Sequence, residues 1–238
     1  DYFERLKRDY SSEKSRKTEI KVFDDVDVKK VVIRNTKLYV NREEGFIGTS
    51  LRRHEYVCDC SDIDDIIVFT ENCSMMVTKV DSKVFIGKNI VHVAVFKKKD
   101  LRTIYNMVYK DGDKGINFIK RFAVSGVTRD KLYKLSNSKK DSYVKYFSAN
   151  PNGEAEKITI NLRSNSKLKK LKWDVDFSDV IIKGRASRGN IITKNTIKNI
   201  ELKEKGLSTL KPRKIWFDDT VQRSVSYTHL TLPTTDRV

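Results

Sequence analysis

Little in these 238 residues can support covalent chemistry. The chain has three His, three Cys and three Pro. The His lie far apart in sequence, so a Ser-His-Asp triad or a His-based metal site has little to draw on. Cys58-x-Cys60 is tighter than the usual C-x2-C zinc spacing, no second pair accompanies it, and Cys73 leaves the set odd. Reduced, half-buried strand cysteines of a cytoplasmic protein are the reading that remains. No apolar run approaches the ~20 residues that a membrane-spanning helix needs. The opening DYFERLKRDY is charged throughout and does not read as a signal peptide. It also lacks an initiator Met, so a piece excised from a longer chain is expected.

Positive charge is abundant. Lys+Arg number 49 against 32 Asp+Glu, a formal net charge of +17. Such an excess favours a polyanionic partner, nucleic acid ahead of an anionic membrane. The length suits one large domain or two small ones with a buried core.

Tyr2, Phe3, Leu6 and Tyr10 recur at helical spacing, and residues 1–20 read as the end of a helix. After KVFDD the period changes to two. LYV, DIIVF, MMVTKV, IVHVAVF, INFIKRF, KITINL and NIITK are short, rich in β-branched and aromatic residues, and separated by polar or glycine-bearing turns. The body is expected to be all-β.

Five segments share one outline, an apolar strand, a polar turn and a second strand carrying basic residues. They are LYVNREEGFIGTSL, IIVFTENCSMMVTKV, NMVYKDGDKGINFIKRF, VKYFSANPNGEAEKITINL and VIIKGRASRGNIITKNTI. Each is read as a hairpin, with its turn at Gly45, Cys73, Gly115, Gly153 or Gly189, where a positive φ is expected. The repeat length suits propeller-like blades, with a β-sandwich as the bland alternative. Basic connectors, KKKDLR (97–102), SNSKKDS (136–142) and SNSKLKKLKW (164–173), recur between the repeats.

Other candidate chemistry is weak. Gly184-x4-Gly189 has the glycine spacing of a phosphate-binding loop, but Asn190 and Ile191 stand where Lys and Ser/Thr are required. A hairpin tip that carries Arg185 and Arg188 into solvent fits better. The acidic run CSDIDD (60–65) lacks the pattern of a calcium loop and reads as a surface loop. Trp173 and Trp216 flank apolar strands and are expected in the core. The final SVSYTHLTLPTTDRV (224–238) breaks the outline and looks like translated adapter sequence, so the native chain is expected to stop near Gln222-Arg223.

With those features together, the chain resembles the C-terminal domain of the A subunits of bacterial type IIA topoisomerases, DNA gyrase and topoisomerase IV. Gyrase carries the box Gln-Arg-Arg-Gly-Gly-Lys-Gly there. Laid on residues 183–189 it meets Lys-Gly-Arg-Ala-Ser-Arg-Gly. Arg185 and Gly189 match, Arg188 replaces Lys, and the other four positions depart, leaving a degenerate box turn of Gly184, Arg185, Arg188 and Gly189. YFERLKRDYSSEKSRKTEI is similar to the junction that precedes the family domain.

The resemblance implies a β-pinwheel of about five blades, expected to be incomplete, preceded by a short helical segment. Residues 1–28 would be the helix end and linker, 29–223 the pinwheel and 224–238 the foreign tail. It also implies non-specific binding and bending of duplex DNA on a basic rim. The family's cleaving tyrosine lies in a preceding domain, so no catalytic residue, metal or cofactor is expected in this piece. ATP and Mg²⁺ would belong to the B subunit, the partner in an A2B2 assembly of the bacterial cytoplasm, with no membrane role. Expected DNA contacts are Arg52, Arg53, Lys97, Lys98, Lys99, Lys120, Arg121, Lys139, Lys140, Lys169, Lys170, Lys172, Arg185, Arg188 and Lys194. The rival reading is a propeller-type protein-interaction module. An RNA-binding β-domain would want aromatics on an exposed sheet face.

Overall fold

A computed structural model describes residues 1–10, 36–112, 115–137, 141–164, 168–211, 214–218 and 223–227. The chain divides into two compact units, 1–34 and 35–238. The first holds α1 (Tyr2–Tyr10), within the expected helix; residues 11–20 lie outside the described residues.

The second unit is all-β apart from one 3₁₀ turn, Phe177–Asp179, among the described residues. Its first sheet has the order β3-β1-β2-β6, from β1 (Thr36–Asn41), β2 (Phe46–Gly48), β3 (Glu55–Cys60) and β6 (Val84–Phe85). The second, β10-β5-β4-β7, is built from β4 (Asp65–Thr70), β5 (Ser74–Lys79), β7 (Ile90–Phe96) and β10 (Tyr133–Lys134). The third centres on β8 (Ile104–Asp111) and β9 (Ile116–Ala123). It gains β11 (Tyr143–Asn150) on one side, and β14 (Ile182–Gly184) and β15 (Asn190–Thr193) on the other. The fourth, β13-β12-β16, comprises β12 (Lys157–Leu162), β13 (Lys172–Asp176) and β16 (Ile197–Glu204). β17 (Lys214–Asp218) and β18 (Arg223–Tyr227) pair as an antiparallel ribbon; β18 includes the first residues of the foreign-looking segment.

Successive sheets exchange strands. β6 returns to the first sheet after the second has begun, β10 returns to the second after β9, and β14 and β15 return to the third after β13. This interlocking is what the expected pinwheel requires.

Burial follows from that arrangement. All six residues of β4 are buried. Successive side chains on a strand point to opposite faces, so Ile66 and Val68 join Leu38, Val40 and Ile47 in a core shared with the first sheet. Ile67 and Phe69 join Met107, Tyr109 and Phe118 in a core shared with the third. Val108 and Ile119 face the other way, onto Ile158, Ile160 and Phe177 of a third core. A strand packed on both faces loses the apolar-polar alternation, which is why DIIVF reads as one apolar run.

The fourth sheet keeps the alternation. Ile158, Ile160 and Leu162 are buried, while Lys157 pairs with Asp176 and Glu204, Thr159 donates to Asp174, and Asn161 donates to Glu201.

Four of the five expected turn positions have positive φ: Gly45 at 83°, Cys73 at 56°, Gly115 at 69° and Gly153 at 69°. Cys73 holds this left-handed conformation with a side chain, buried in the core between the second and third sheets. Three of the five expected hairpins are present: β1–β2, β4–β5 and β8–β9. The fourth and fifth segments are not hairpins. β11 pairs with β8 while β12 pairs with β13 and β16, so that segment is a crossover between two sheets. β14 runs parallel to β9 beside Arg121–Ala123, and β15 runs antiparallel to it beside Asn117–Ile119. Local pattern cannot tell a hairpin from two strands that each find a distant partner.

Candidate nucleic-acid interface

The turn at 185–189 lies over β9 and is held there from below. Lys120 Nζ donates to the Leu135 carbonyl at 2.6 Å and to the Arg185 carbonyl at 3.0 Å, and lies 4.8 Å from the Phe122 ring centre. Burial pulls its pKa down from the ordinary 10.5 to about 8. The Gly189 amide donates to the Tyr109 hydroxyl at 3.3 Å. Gly189 is required for close approach rather than for a positive φ, since an added Cβ would stand 2.6 Å from the Ile119 carbonyl oxygen. Gly184 has no such constraint; the nearest atom to an added Cβ is Ser187 Oγ at 4.0 Å.

Of the two arginines of the turn, Arg188 is exposed as expected, whereas Arg185 is half-buried. The Arg185 guanidinium lies over the Tyr133 ring at 4.3 Å and donates to the Gly126 carbonyl at 2.6 Å. Arg188, exposed, lies 4.6 Å from the Phe118 ring centre. Stacking on aromatic faces restricts both guanidinium planes while leaving their charge in place.

A second basic loop meets this one. Lys97, Lys98 and Lys99 are exposed, and the Lys99 amide donates to the Ser125 carbonyl at 3.1 Å. Ser125 and Gly126 are neighbours, so loops 97–99 and 185–188 converge on one short segment. Lys131, 5.6 Å from the Tyr133 ring centre, adds another cation to that ring. The sequence reading missed Lys131 and also Arg102, although Arg102 stands in the quoted connector KKKDLR. A basic residue flanking an aromatic, as in KLY, was the signal.

Arg52, Arg53, Lys169, Lys170, Lys172 and Lys194 are exposed on turns and strand ends. Lys139 and Lys140 lie outside the described residues. Lys120 and Arg121 leave the set of expected phosphate contacts, because they are 2% and 1% exposed. Arg121 donates to Asn106 Oδ1 at 3.0 Å, to the Gly153 carbonyl at 3.0 Å, to the Phe177 carbonyl at 3.3 Å and to Thr209 Oγ1 at 3.1 Å. It ties the third sheet to segments flanking the fourth. The two side chains point to opposite faces of β9, and both faces are covered by neighbouring sheets.

The acidic run 60–65 is a turn in which Asp64 Oδ2 accepts from the Ser61 amide. Its last member, Asp65, is buried and takes a two-pronged ion pair from Arg129 at 2.7 and 3.2 Å. Cys60 and Cys73 are buried and Cys58 half-buried; burial pushes the Cys73 thiol up to about 12. Trp173 is half-buried against the core between the third and fourth sheets, while the side chain of Trp216 lies outside the described residues.

Residues 37–205 match the family described as Topoisomerase C-terminal domain, Bacteroidota. The chain belongs to this topoisomerase C-terminal domain family. A curated relative, the A subunit of DNA topoisomerase 4 from Borreliella burgdorferi, is 30% identical over 195 residues, covering 82% of this chain and 29% of the relative. The chain thus spans under a third of that protein. Among solved structures, the crystal structure of the C-terminal domain of DNA topoisomerase IV aligns with a TM-score of 0.44 at 11% identity, over 78% of this chain and 65% of the other. The family match begins at Lys37 in β1 and ends at Lys205, just after β16. The topoisomerase C-terminal domain match therefore takes in all four sheets and both converging basic loops, and leaves out α1 and the β17–β18 ribbon.

Proposed function

We propose that this chain binds duplex DNA through its phosphates, without reading base sequence, and bends it. On this reading it serves the A subunit of a type IIA topoisomerase in the bacterial cytoplasm. The whole enzyme would pass one duplex through another, driven by ATP hydrolysis, with ATP and Mg²⁺ held by the B subunit of an A2B2 assembly. Cleavage would belong to a domain outside this sequence.

The observation that carries the proposal is the convergence of loops 97–99 and 185–188 on Ser125–Gly126. Among the described residues, none of Lys97, Lys98, Lys99, Arg185 and Arg188 is in an ion pair. Cations gathered without ion-pair partners repel one another; a phosphate chain neutralises that repulsion, and the release of its condensed counterions favours binding. Bending a duplex by 40–90° costs on the order of 1–6 kcal/mol, so several such contacts must act together.

The test is duplex affinity across a salt series. Lys97→Gln/Lys98→Gln/Lys99→Gln should lower the log-log salt slope by about 0.9 per lost contact and weaken unrelated sequences equally. An unchanged slope refutes the assignment. Ligation of nicked circles with the protein bound should shift the topoisomer distribution; no shift removes the bending.

One observation favours the rival protein-interaction reading. Tyr39, Phe46, Tyr56 and Phe85 stand on the face of the first sheet opposite its core, with Tyr56 49% and Phe85 55% exposed. On that reading Tyr56→Ser/Phe85→Ser would abolish partner capture and leave the salt slope untouched.

A further inference from the structure

Tyr133 is fixed at its backbone, its ring and its hydroxyl. The Asp130 amide donates to the Val77 carbonyl at 2.8 Å, and the Leu135 amide to the Cys73 carbonyl at 2.8 Å. Between those two bonds Tyr133 pairs with Met75 of β5, and its side chain packs against the core between the second and third sheets. The phenol oxygen accepts from the Thr128 amide at 2.9 Å. The ring is therefore a stiff part of the surface, half-buried rather than sealed in the core.

Two cations share that ring. The Arg185 guanidinium carbon lies 4.3 Å from its centre and Lys131 Nζ lies 5.6 Å from it, both within the ~6 Å over which a cation is attracted by an aromatic face. Lys131 stands two residues before Tyr133, whereas Arg185 arrives from the turn over β9. Among the described residues neither is in an ion pair. Arg185 Nη1 donates to the Gly126 carbonyl at 2.6 Å, while Nε and Nη2 have no protein acceptor among the described residues. A guanidinium laid on a ring keeps its N–H bonds in its own plane, where phosphate oxygens can accept them side by side.

We infer that Tyr133 is the positioning residue of a phosphate seat, holding Arg185 and Lys131 together so that they grip phosphodiester oxygens of bound DNA. This role rests on the duplex-binding reading and deepens it, by naming the group that gives the charge of the turn a direction. A long cation on bare surface loses rotamer freedom when phosphate arrives. One already laid on a ring has lost much of that freedom on folding, so the contact costs less. Arg188 has a ring beneath it too, but Phe118 is buried in the core and cannot be removed without damaging the fold. Tyr133 is the platform that can be tested.

Duplex affinity and its salt slope, measured on the full chain, separate holding from charge. Tyr133→Leu should weaken the duplex about three- to tenfold and leave the slope in place, because both cations remain but must be ordered on binding. Tyr133→Phe should stay within about twofold, since the platform remains. Arg185→Gln/Lys131→Gln should lower the slope by about 0.9 per lost contact, and in that background Tyr133→Leu should have no further effect. The Arg185 Nε proton, assigned by its absence in Arg185→Gln, should show a ring-current shift that Tyr133→Leu removes and Tyr133→Phe retains. It should move again when a short duplex of mixed sequence is added. The inference is overturned if Tyr133→Leu binds as tightly as the unsubstituted chain, if Tyr133→Phe falls with it, or if Tyr133→Leu weakens binding equally in the doubly substituted background, as a mere folding defect would. Those outcomes leave the duplex-binding reading standing provided that Lys97→Gln/Lys98→Gln/Lys99→Gln lowers the slope. A slope unmoved by either set of substitutions overturns both.

Discussion

Lys120 and Arg121 stand side by side on β9 with their charges satisfied by protein acceptors, whereas Lys97, Lys98 and Lys99 stand on a loop and, among the described residues, pair with no acid. The residue types are the same and the surroundings opposite. On β9 both faces are covered, so each cation must find enough carbonyl and amide oxygens to replace water, and each becomes a clamp between sheets. On the loop, water solvates the lysines and their charge stays available. Basic residues in this fold thus serve two purposes, and count or spacing does not separate them.

The largest effect expected from breaking this contrast is at Arg121. Arg121→Met removes the hydrogen bonds to Asn106, Gly153, Phe177 and Thr209 and leaves buried acceptors unmet, which should cost about 3–5 kcal/mol in urea denaturation. Glutamine substitutions at Lys97, Lys98 and Lys99 should each stay within about 0.5 kcal/mol by the same measurement. A mild Arg121→Met, or a costly loop variant, would erase the distinction.

A titration sharpens it. Lys120 has its pKa depressed to about 8 in the folded chain, against 10.5 ordinarily. Between those values the unfolded chain binds the extra proton, so this group makes stability rise with pH, by up to ~1.4 kcal/mol per unit. Unfolding free energies of the native chain and of Lys120→Met, compared from pH 8 to 10.5, should diverge with that sign; parallel curves would mean that the ammonium is not desolvated. His92 tests the acid side. Burial lowers its pKa to about 4 from 6.5, so its contribution is complete above pH 6.5 and is lost as pH falls toward 4. His92→Gln should flatten that acid limb.

The smallest effect concerns the turn over β9. Gly184→Ala meets only Ser187 Oγ, at an ordinary 4.0 Å, and should leave stability within about 0.5 kcal/mol, whereas Gly189→Ala drives a methyl into the Ile119 carbonyl and should cost more. Equal melting temperatures for the two would refute the close-approach role of Gly189.

Much of this was legible in the sequence. The strand segments, the left-handed turns at Gly45, Gly115 and Gly153, and even the one at Cys73, were marked by short-range pattern, because a tight turn between β-branched runs is a local event. The degenerate box KGRASRG pointed to the segment where two basic loops meet. Strand pairing was less visible. VKYFSANPNGEAEKITINL has every mark of a hairpin, yet β11 and β12 belong to different sheets, β11 pairing with β8 and β12 with β13 and β16. The KRF of β9 reads as a basic strand edge, and nothing within a few residues reveals that Asn106, Leu135, Gly153 and Thr209 converge on it.

Composition and short-range period are enough to specify an all-β chain of repeated strand-turn-strand units, poor in His and Cys and rich in cations, because both act over a few residues. Which strands interlock, which cations are buried as clamps and which stay solvated on loops emerge from long-range packing alone. Those outcomes depend on water being displaced by groups far away along the chain, and the free energy of a charge is set by what replaces that water.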